Sequence, residues 1–408
     1  MEKMAETVAG SQYQRLHHML SESAWDRRGV RRQLIADANA HFGHACALVI
    51  DESAFAKKGD RSAGVARQWN GRLGKTDNSQ VGVFAAVARD GVSALVDGEL
   101  YVPQEWFADP ARCREAGIPE GLQFITKGEM ALAMIHRLRR EGLRFACSVF
   151  DAGYGHLPWL LRALEDEQES FLAEVHSDQL IYLTDPAPAV PQRRSLLGKA
   201  PSRPQARTAP LTVAAWAGAQ PASRWRRLSV REGEKGELVA DYLKQRVWLW
   251  DGSEQRARCW HLLVRREVDG AKLKYCLSNA RPEASLRRLC EMQAARHFVE
   301  RAFEDAKGAC GMADYQVRGF QAWHHHMALV MVALMFLAKE RLAHRGTTHL
   351  LSCNDLVEIM RHKLPSKIET DDDLVAMIED RHQRRRMAME HAYRRQARML
   401  AASACGKV

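Results

Sequence analysis

Ala45-Cys-Ala-Leu-Val-Ile50 runs straight into Asp51, and far along the chain Phe145-Ala-Cys-Ser-Val-Phe150 runs straight into Asp151. The first is a continuous apolar run and the second an apolar strand with one serine, the pattern of strands buried on both faces, and each expected strand stops at its aspartate. If the two strands are parallel neighbours, their carboxyl ends present both carboxylates at one edge of a sheet. Two converging carboxylates repel unless a cation sits between them. Taken singly, either aspartate is as readily a loop or helix cap as a ligand.

Working outward, strands are expected over Val81–Ala88 and Val92–Val102, joined by Arg89-Asp90-Gly91, a hairpin turn signal. An amphipathic helix over 127–141 carries Met130, Leu132, Met134, Ile135 and Leu138 and closes at Gly142. A helix over 157–168 and a strand over 170–175 complete a mixed α/β sheet. Upstream, residues 11–40 read as two helices broken near Asp26–Gly29. Downstream, seven of the chain's thirteen prolines fall between Pro186 and Pro221, an extended basic connection. Strands over Trp225–Val230, Arg246–Trp250, Ala257–Arg266 and Leu273–Ser278 then read as a β-rich insertion, and helices over 285–308, 320–343, 353–362 and 372–400 follow. The organisation expected is a helical segment over 1–43, a core over 44–179, the connection and insertion over 180–282, a second core part over 283–345, and a helical region over 346–408.

The 408 residues suggest two or three structural units. Lys and Arg outnumber Asp and Glu by 60 to 50, a balance that suits a polyanionic partner and equally an Arg-rich soluble enzyme. The start of the sequence lacks a signal-peptide pattern. The longest apolar stretch, Met327 to Ala338, is shorter than the about 20 residues a membrane span needs. Nine cysteines are scattered without a C-x-x-C pair, so neither zinc nor a disulfide framework is suggested.

A third acid lies in the helix expected over 285–308. Ala295, Val299, Ala302 and Ala306 form an apolar stripe that packs on the sheet, and Arg296, Glu300, Glu304 and Lys307 form a stripe beside it. Such a face can aim Glu300 at the two aspartates. On helix spacing alone a solvated face with i,i+4 charge pairs is the commoner outcome. His324-His-His326 point in different directions on a helix, so packing is favoured there over a metal cluster.

Several of these stretches together resemble a family. Asp51-Glu-Ser-Ala-Phe-Ala-Lys-Lys-Gly59, Ser62-Ala-Gly-Val-Ala-Arg-Gln68, Gly71-Arg-Leu-Gly-Lys75 and Asn78-Ser-Gln80 resemble the first catalytic block of the DDE transposases of bacterial insertion sequences. Asp151-Ala-Gly-Tyr-Gly155 resembles the second block. Arg296-x3-Glu300-x6-Lys307 matches the third, Tyr-x2-Arg-x3-Glu-x6-Lys, except that Gln293 stands where that family has tyrosine. Separated motifs in the right order are more specific than one.

The resemblance implies an α/β, RNase-H-like mixed-sheet core interrupted by the β-rich insertion, with helical N- and C-terminal extensions. It implies that Asp51, Asp151 and Glu300 hold two Mg²⁺ ions, for which Mn²⁺ can substitute, and that Arg296 and Lys307 bind the phosphate at a transposon end. Lys57, Lys58, Arg67, Lys75 and Gln80 are expected to contact DNA. The implied partners are double-stranded DNA, as transposon ends and target, and a second copy in a synaptic complex, with no membrane; the implied place is the bacterial cytoplasm, at the nucleoid. Two other readings stay open: a DNA-binding regulator derived from a transposase, motivated by Gln293, and a metal-dependent nuclease that does not join strands.

Overall fold

The computed structural model describes residues 2–192, 202–233, 236–268, 272–348 and 351–405. Part of the proline-rich connection, residues 193–201, lies outside the described residues. The described residues fall into two compact units, one within Trp25–Asn354 and one within Met1–Ala24 and Asp355–Val408.

The larger unit is organised by one mixed sheet. Its strands are β1 (Ala47–Ala56), β2 (Ala66–Asn70), β3 (Lys75–Arg89), β4 (Val92–Tyr101), β5 (Cys147–Phe150), β6 (Phe171–Val175), β9 (Arg226–Gly233), β10 (Gly236–Leu249), β11 (Arg258–Glu267) and β12 (Leu273–Ser278); β7 (Leu180–Ile181) and β8 (Leu211–Thr212) form a separate two-stranded sheet. β1 pairs antiparallel with β3 and parallel with β5, and β5 pairs parallel with β6. The core order β4-β3-β1-β5-β6, an antiparallel hairpin followed by parallel strands, is the RNase-H-like arrangement. Leu48, Val49, Ile50, Val149 and Phe150 are fully buried, as largely apolar runs require. The turn at Asp90–Gly91 takes positive φ at both residues, 53° and 81°, the primed geometry that suits hairpin twist.

Three features depart from the sequence reading. β1 does not stop at Asp51: it continues to Ala56 and buries Ser53 and Phe55, an alternation that replaces the all-apolar pattern once β5 no longer flanks it. β2 was not expected, because Arg67, Gln68 and Asn70 give it no apolar period. The strands of the insertion do not make a sheet of their own. β12 pairs antiparallel with β6, and β11, β10 and β9 follow, so the insertion extends the core sheet.

Helices pack against this sheet. Val299, Ala302 and Ala306 are fully buried, which confirms the expected apolar stripe. The stretch 285–308 is not one helix: it breaks at Arg296 into Leu286–Ala295 and His297–Ala309, with the Arg296 amide donating to the Gln293 carbonyl in a tightened turn. The helix Arg27–His41 belongs to the larger unit, where Trp25 stacks on His325 at 4.0 Å and Lys339 pairs with Asp37. The three successive histidines diverge, His324 to Glu99, His325 to Trp25 and His326 to the Gly311 carbonyl, as expected of packing residues. Among the described residues eight cysteines are free thiols. Among the described residues no helix is long and apolar enough to cross a membrane.

In the smaller unit Lys367 donates to the carbonyls of Ala5 and Ser11, and Glu6 accepts from Arg381 and Arg384 on the helix Asp371–Cys405.

Candidate active site

Register places the two aspartates. β1 and β5 pair from Ala47↔Cys147 to Ile50↔Phe150, so the next residues on each strand, Asp51 and Asp151, stand side by side where β5 ends. Each carboxylate has one oxygen fixed locally. Asp51 Oδ1 accepts from the Glu52 amide at 2.7 Å, and Asp151 Oδ1 accepts from the amides of Gly153 and Tyr154 at 2.9 and 3.3 Å. Asp151 therefore is a helix cap, as residues of its type often are, and still offers its other oxygen to the site.

The second block owes its sequence to this geometry. Asp151 caps the short helix Ala152–Gly155, and a Cβ at Gly155 would collide with the Glu174 carbonyl on β6. Only glycine lets the backbones approach so closely.

Arg296 gathers the three acids. Its guanidinium lies 3.3 Å from Asp51 Oδ2, 4.0 Å from Asp151 Oδ2 and 3.2 Å from Glu300 Oε1. The break in the helix at Arg296 sets this side chain at the sheet edge, one turn from Glu300. Side-chain exposure falls from 57% at Glu300 through 31% at Asp151 to 11% at Asp51. Burial pushes the Asp51 carboxyl up to about 7; Arg296 opposes the rise and Asp151 adds to it. Burial works against the Arg296 charge, but Asp51, Glu300 and Asp151 outweigh it and raise its pKa. Glu300 is held below the usual carboxylate range by its hydrogen bond to His297, against burial, with Arg296 assisting.

The remaining expected residues divide. Lys307 is half-buried, its ammonium 5.7 Å from the Phe55 ring centroid, and burial depresses its pKa. Lys57 sits 3.5 Å over the Tyr315 ring and burial lowers it to about 8. Lys58, Arg67 and Lys75 are exposed, Lys75 beside Asp77 at 3.2 Å. Gln80 requires correction as a DNA contact. It is fully buried, donating to the Ala63 carbonyl at 2.6 Å and accepting from the Tyr315 hydroxyl at 2.8 Å, so its amide holds the fold together. Arg296, expected at a DNA phosphate, is engaged by the three acids. Gln293 is buried and donates to Cys276 Sγ.

Sequence reasoning missed three neighbours. Glu52 pairs with Lys127 at 2.5 Å, and the capping box of Thr126 and Glu129 fixes that lysine in the first turn of its helix. Tyr154 is buried with its hydroxyl lacking a hydrogen-bond partner among the described residues, and its pKa is raised first by burial and then by Glu52, Asp51 and Asp151. Its place inside the second block was the available signal; nothing local announces the Glu52–Lys127 pair.

The donor set suits a hard divalent cation, since Asp51, Asp151 and Glu300 offer only carboxylate oxygens. Burial raises the Asp51 carboxyl and the buried Tyr154 hydroxyl has no hydrogen-bond partner among the described residues, so polar groups at this edge of the sheet are not fully answered by the side chains around them. Among the described residues no three His, Cys, Asp or Glu side chains converge closely enough to cage an ion; the Arg296 guanidinium lies near both Asp51 and Asp151 instead.

Comparison with known proteins supplies the family. A probable transposase for insertion sequence element IS701 from Microchaete diplosiphon is 33% identical over 156 residues, which is 38% of this chain and 38% of that protein. The chain thus matches little more than a third of that relative's length. The piggyBac transposase in a synaptic complex with hairpin DNA gives a TM-score of 0.40 at 11% identity, over 82% of this chain and 56% of that one, a likeness too slight to argue from. Residues 1–237 match the profile described as DDE superfamily endonuclease, a span that contains Asp51 and Asp151 and stops short of Glu300. With more than half its length matched and its paired acids inside the match, the chain belongs to the DDE superfamily endonuclease family.

Proposed function

We propose that the protein is a DNA transposase that cuts transposon ends and joins them to target DNA, with Asp51, Asp151 and Glu300 as its catalytic acids. One observation carries this reading: a single guanidinium lies within 4.0 Å of all three carboxylates, so residues far apart in sequence form one site. Asp51, Asp151 and Glu300 would hold two Mg²⁺ ions. Held by these carboxylates, such ions would supply the Lewis acidity that activates a water or 3′-hydroxyl and eases departure of the leaving oxygen.

The chain's own residues do the rest. Asp51 and Asp151 are held rigid by strand register and by backbone amides, which keeps both free oxygens aimed at one point. Arg296 offsets the mutual repulsion of the acids, and Lys307, half-buried beside them, adds positive charge for a phosphate. Lys58, Arg67 and Lys75 project from the chain that follows Asp51 and bind the DNA backbone. Residues 44–179 and 283–345 make the cutting core in this reading, and 180–282 an insertion that widens its sheet. The substrate is double-stranded DNA, and a homodimer brings two ends together.

Purified protein with Mg²⁺ is expected to nick DNA carrying the terminal repeats of its element, and Asp151→Asn to abolish nicking. Equal cutting by both refutes the site. Cut ends without joined products make the protein a nuclease; binding without metal-dependent cutting makes it a regulator.

A further inference from the structure

We propose that Trp69 is a stacking platform for an unpaired base of bound DNA, with Arg67 and Arg72 holding the adjoining phosphates. The inference rests on DNA being the partner, and it adds a contact that reads base exposure instead of backbone charge.

β2 is built with two unlike faces. Its inward side chains are tied down: Gln68 donates to the Ser79 and Gly64 carbonyls at 2.9 and 3.3 Å, and Asn70 donates to Ser79 Oγ at 3.0 Å. Its outward side chains, Arg67 and Trp69, stand on one face by the two-residue period of a strand. Trp69 is 57% exposed. The fold itself gains little from a ring left in water, while a ring on a pinned strand loses little conformational freedom when a ligand covers it.

The surroundings select the ligand. From Lys57 to Lys75 there are six Lys and Arg against one Asp. Lys58, Arg67 and Arg72 are exposed and make no ion pair within 4.0 Å among the described residues, and Arg67 adds only weakly to the field on nearby Asp77, so a phosphate can reach all three. An exposed aromatic ring among unpaired cations matches a nucleic-acid strand, whose bases offer π-faces and whose phosphates offer charge. A paired base inside a duplex has both faces covered by its neighbours, so the ring favours an unpaired or splayed base.

The platform lies within reach of the acids. Asp51 pairs with Phe84 and Trp69 with Thr76, eight positions apart along β3, or about 27 Å at about 3.4 Å per residue. That spans about eight base steps of duplex. Arg72, in the turn after Trp69, is close enough for its charge to add to the burial that depresses Lys307 beside the site.

Fluorescence anisotropy at low salt tests this with two labelled duplexes of one sequence, one fully paired and one carrying a short run of unpaired thymines. Trp69→Ala is expected to weaken binding of the unpaired probe about tenfold, as loss of one stacked base implies. Binding of the paired duplex changes by less than about twofold on the same scale, and Trp69→Phe keeps most of the affinity because it keeps a ring. Equal loss on both probes, or no loss on either, overturns the stacking role while leaving DNA binding intact. If the wild type binds neither probe, DNA is not the partner and the inference falls with that reading. Unchanged thermal melting of Trp69→Ala, expected for so exposed a side chain, shows that the readout is binding and not unfolding.

Discussion

Arg296→Gln removes the one positive charge shared by the three acids, and its cost can be worked from the geometry. At 3.3 Å a unit charge pair is worth about 5 kcal/mol at an effective dielectric of about 20. Asp51, with 11% of its side chain exposed, has little water to replace the guanidinium. Proton uptake by Asp51 and water entering the vacated volume return part of this, leaving a net loss of about 3 kcal/mol. Glu300 adds little, because its side chain is more than half exposed and solvent screens that pair. Urea unfolding in EDTA measures the loss directly. Mg²⁺ then stabilises the variant more than the wild type, because an added cation takes over the neutralisation that Arg296 performs. A variant as stable as the wild type in EDTA refutes the claim that Arg296 holds these acids together.

Other outcomes follow from the packing around the site. Arg137 donates to Asp97 at 2.9 and 2.6 Å, and Asp97 is 2% exposed, so Arg137→Met leaves a buried carboxylate short of its main partner and costs about 3–5 kcal/mol by urea unfolding. The pair Asp97→Leu with Arg137→Met recovers much of that loss. Gly155→Ala forces a methyl group against the Glu174 carbonyl and is expected to lower stability by about 2–3 kcal/mol and to displace Asp151, which thermal melting and nicking assays report together. Glu141 is held below the usual carboxylate range by its hydrogen bonds from Arg31, against burial. A depressed folded-state pKa stabilises above the unfolded value of about 4.3 and is lost as pH falls through the folded value. Glu141→Gln is therefore expected to cost about 1–2 kcal/mol near neutral pH, and the gap to the wild type closes below about pH 4.

Much of this was legible where chemistry repeats locally. Two largely apolar runs announced β1 and β5, and the register between them set the aspartates that follow side by side. Arg89-Asp90-Gly91 announced the hairpin, and the stripe through Val299, Ala302 and Ala306 announced a helix packed on the sheet. Long-range satisfaction was not legible. Gln80 looks like a surface amide until Ala63 and Tyr315 answer it across the fold, and Arg296 looks like a phosphate ligand until three carboxylates converge on it. β2 lacks an apolar period because Ser79 on β3 answers its inward Gln68 and Asn70 with polar contacts.

The central claim is that Glu300 completes a site with Asp51 and Asp151, and two conservative variants on one helix test it. Glu300 reaches the shared guanidinium, whereas Glu304, one turn later, is 66% exposed and pairs with Arg301 at 3.2 Å. Rates of Mg²⁺-dependent cleavage of end-bearing DNA are compared for Glu300→Gln and Glu304→Gln. Glu300→Gln is expected to lose at least about a hundredfold, the several kcal/mol a metal-holding carboxylate contributes, with Glu304→Gln near the wild-type rate. Cleavage surviving in Glu300→Gln, or lost instead in Glu304→Gln, contradicts it.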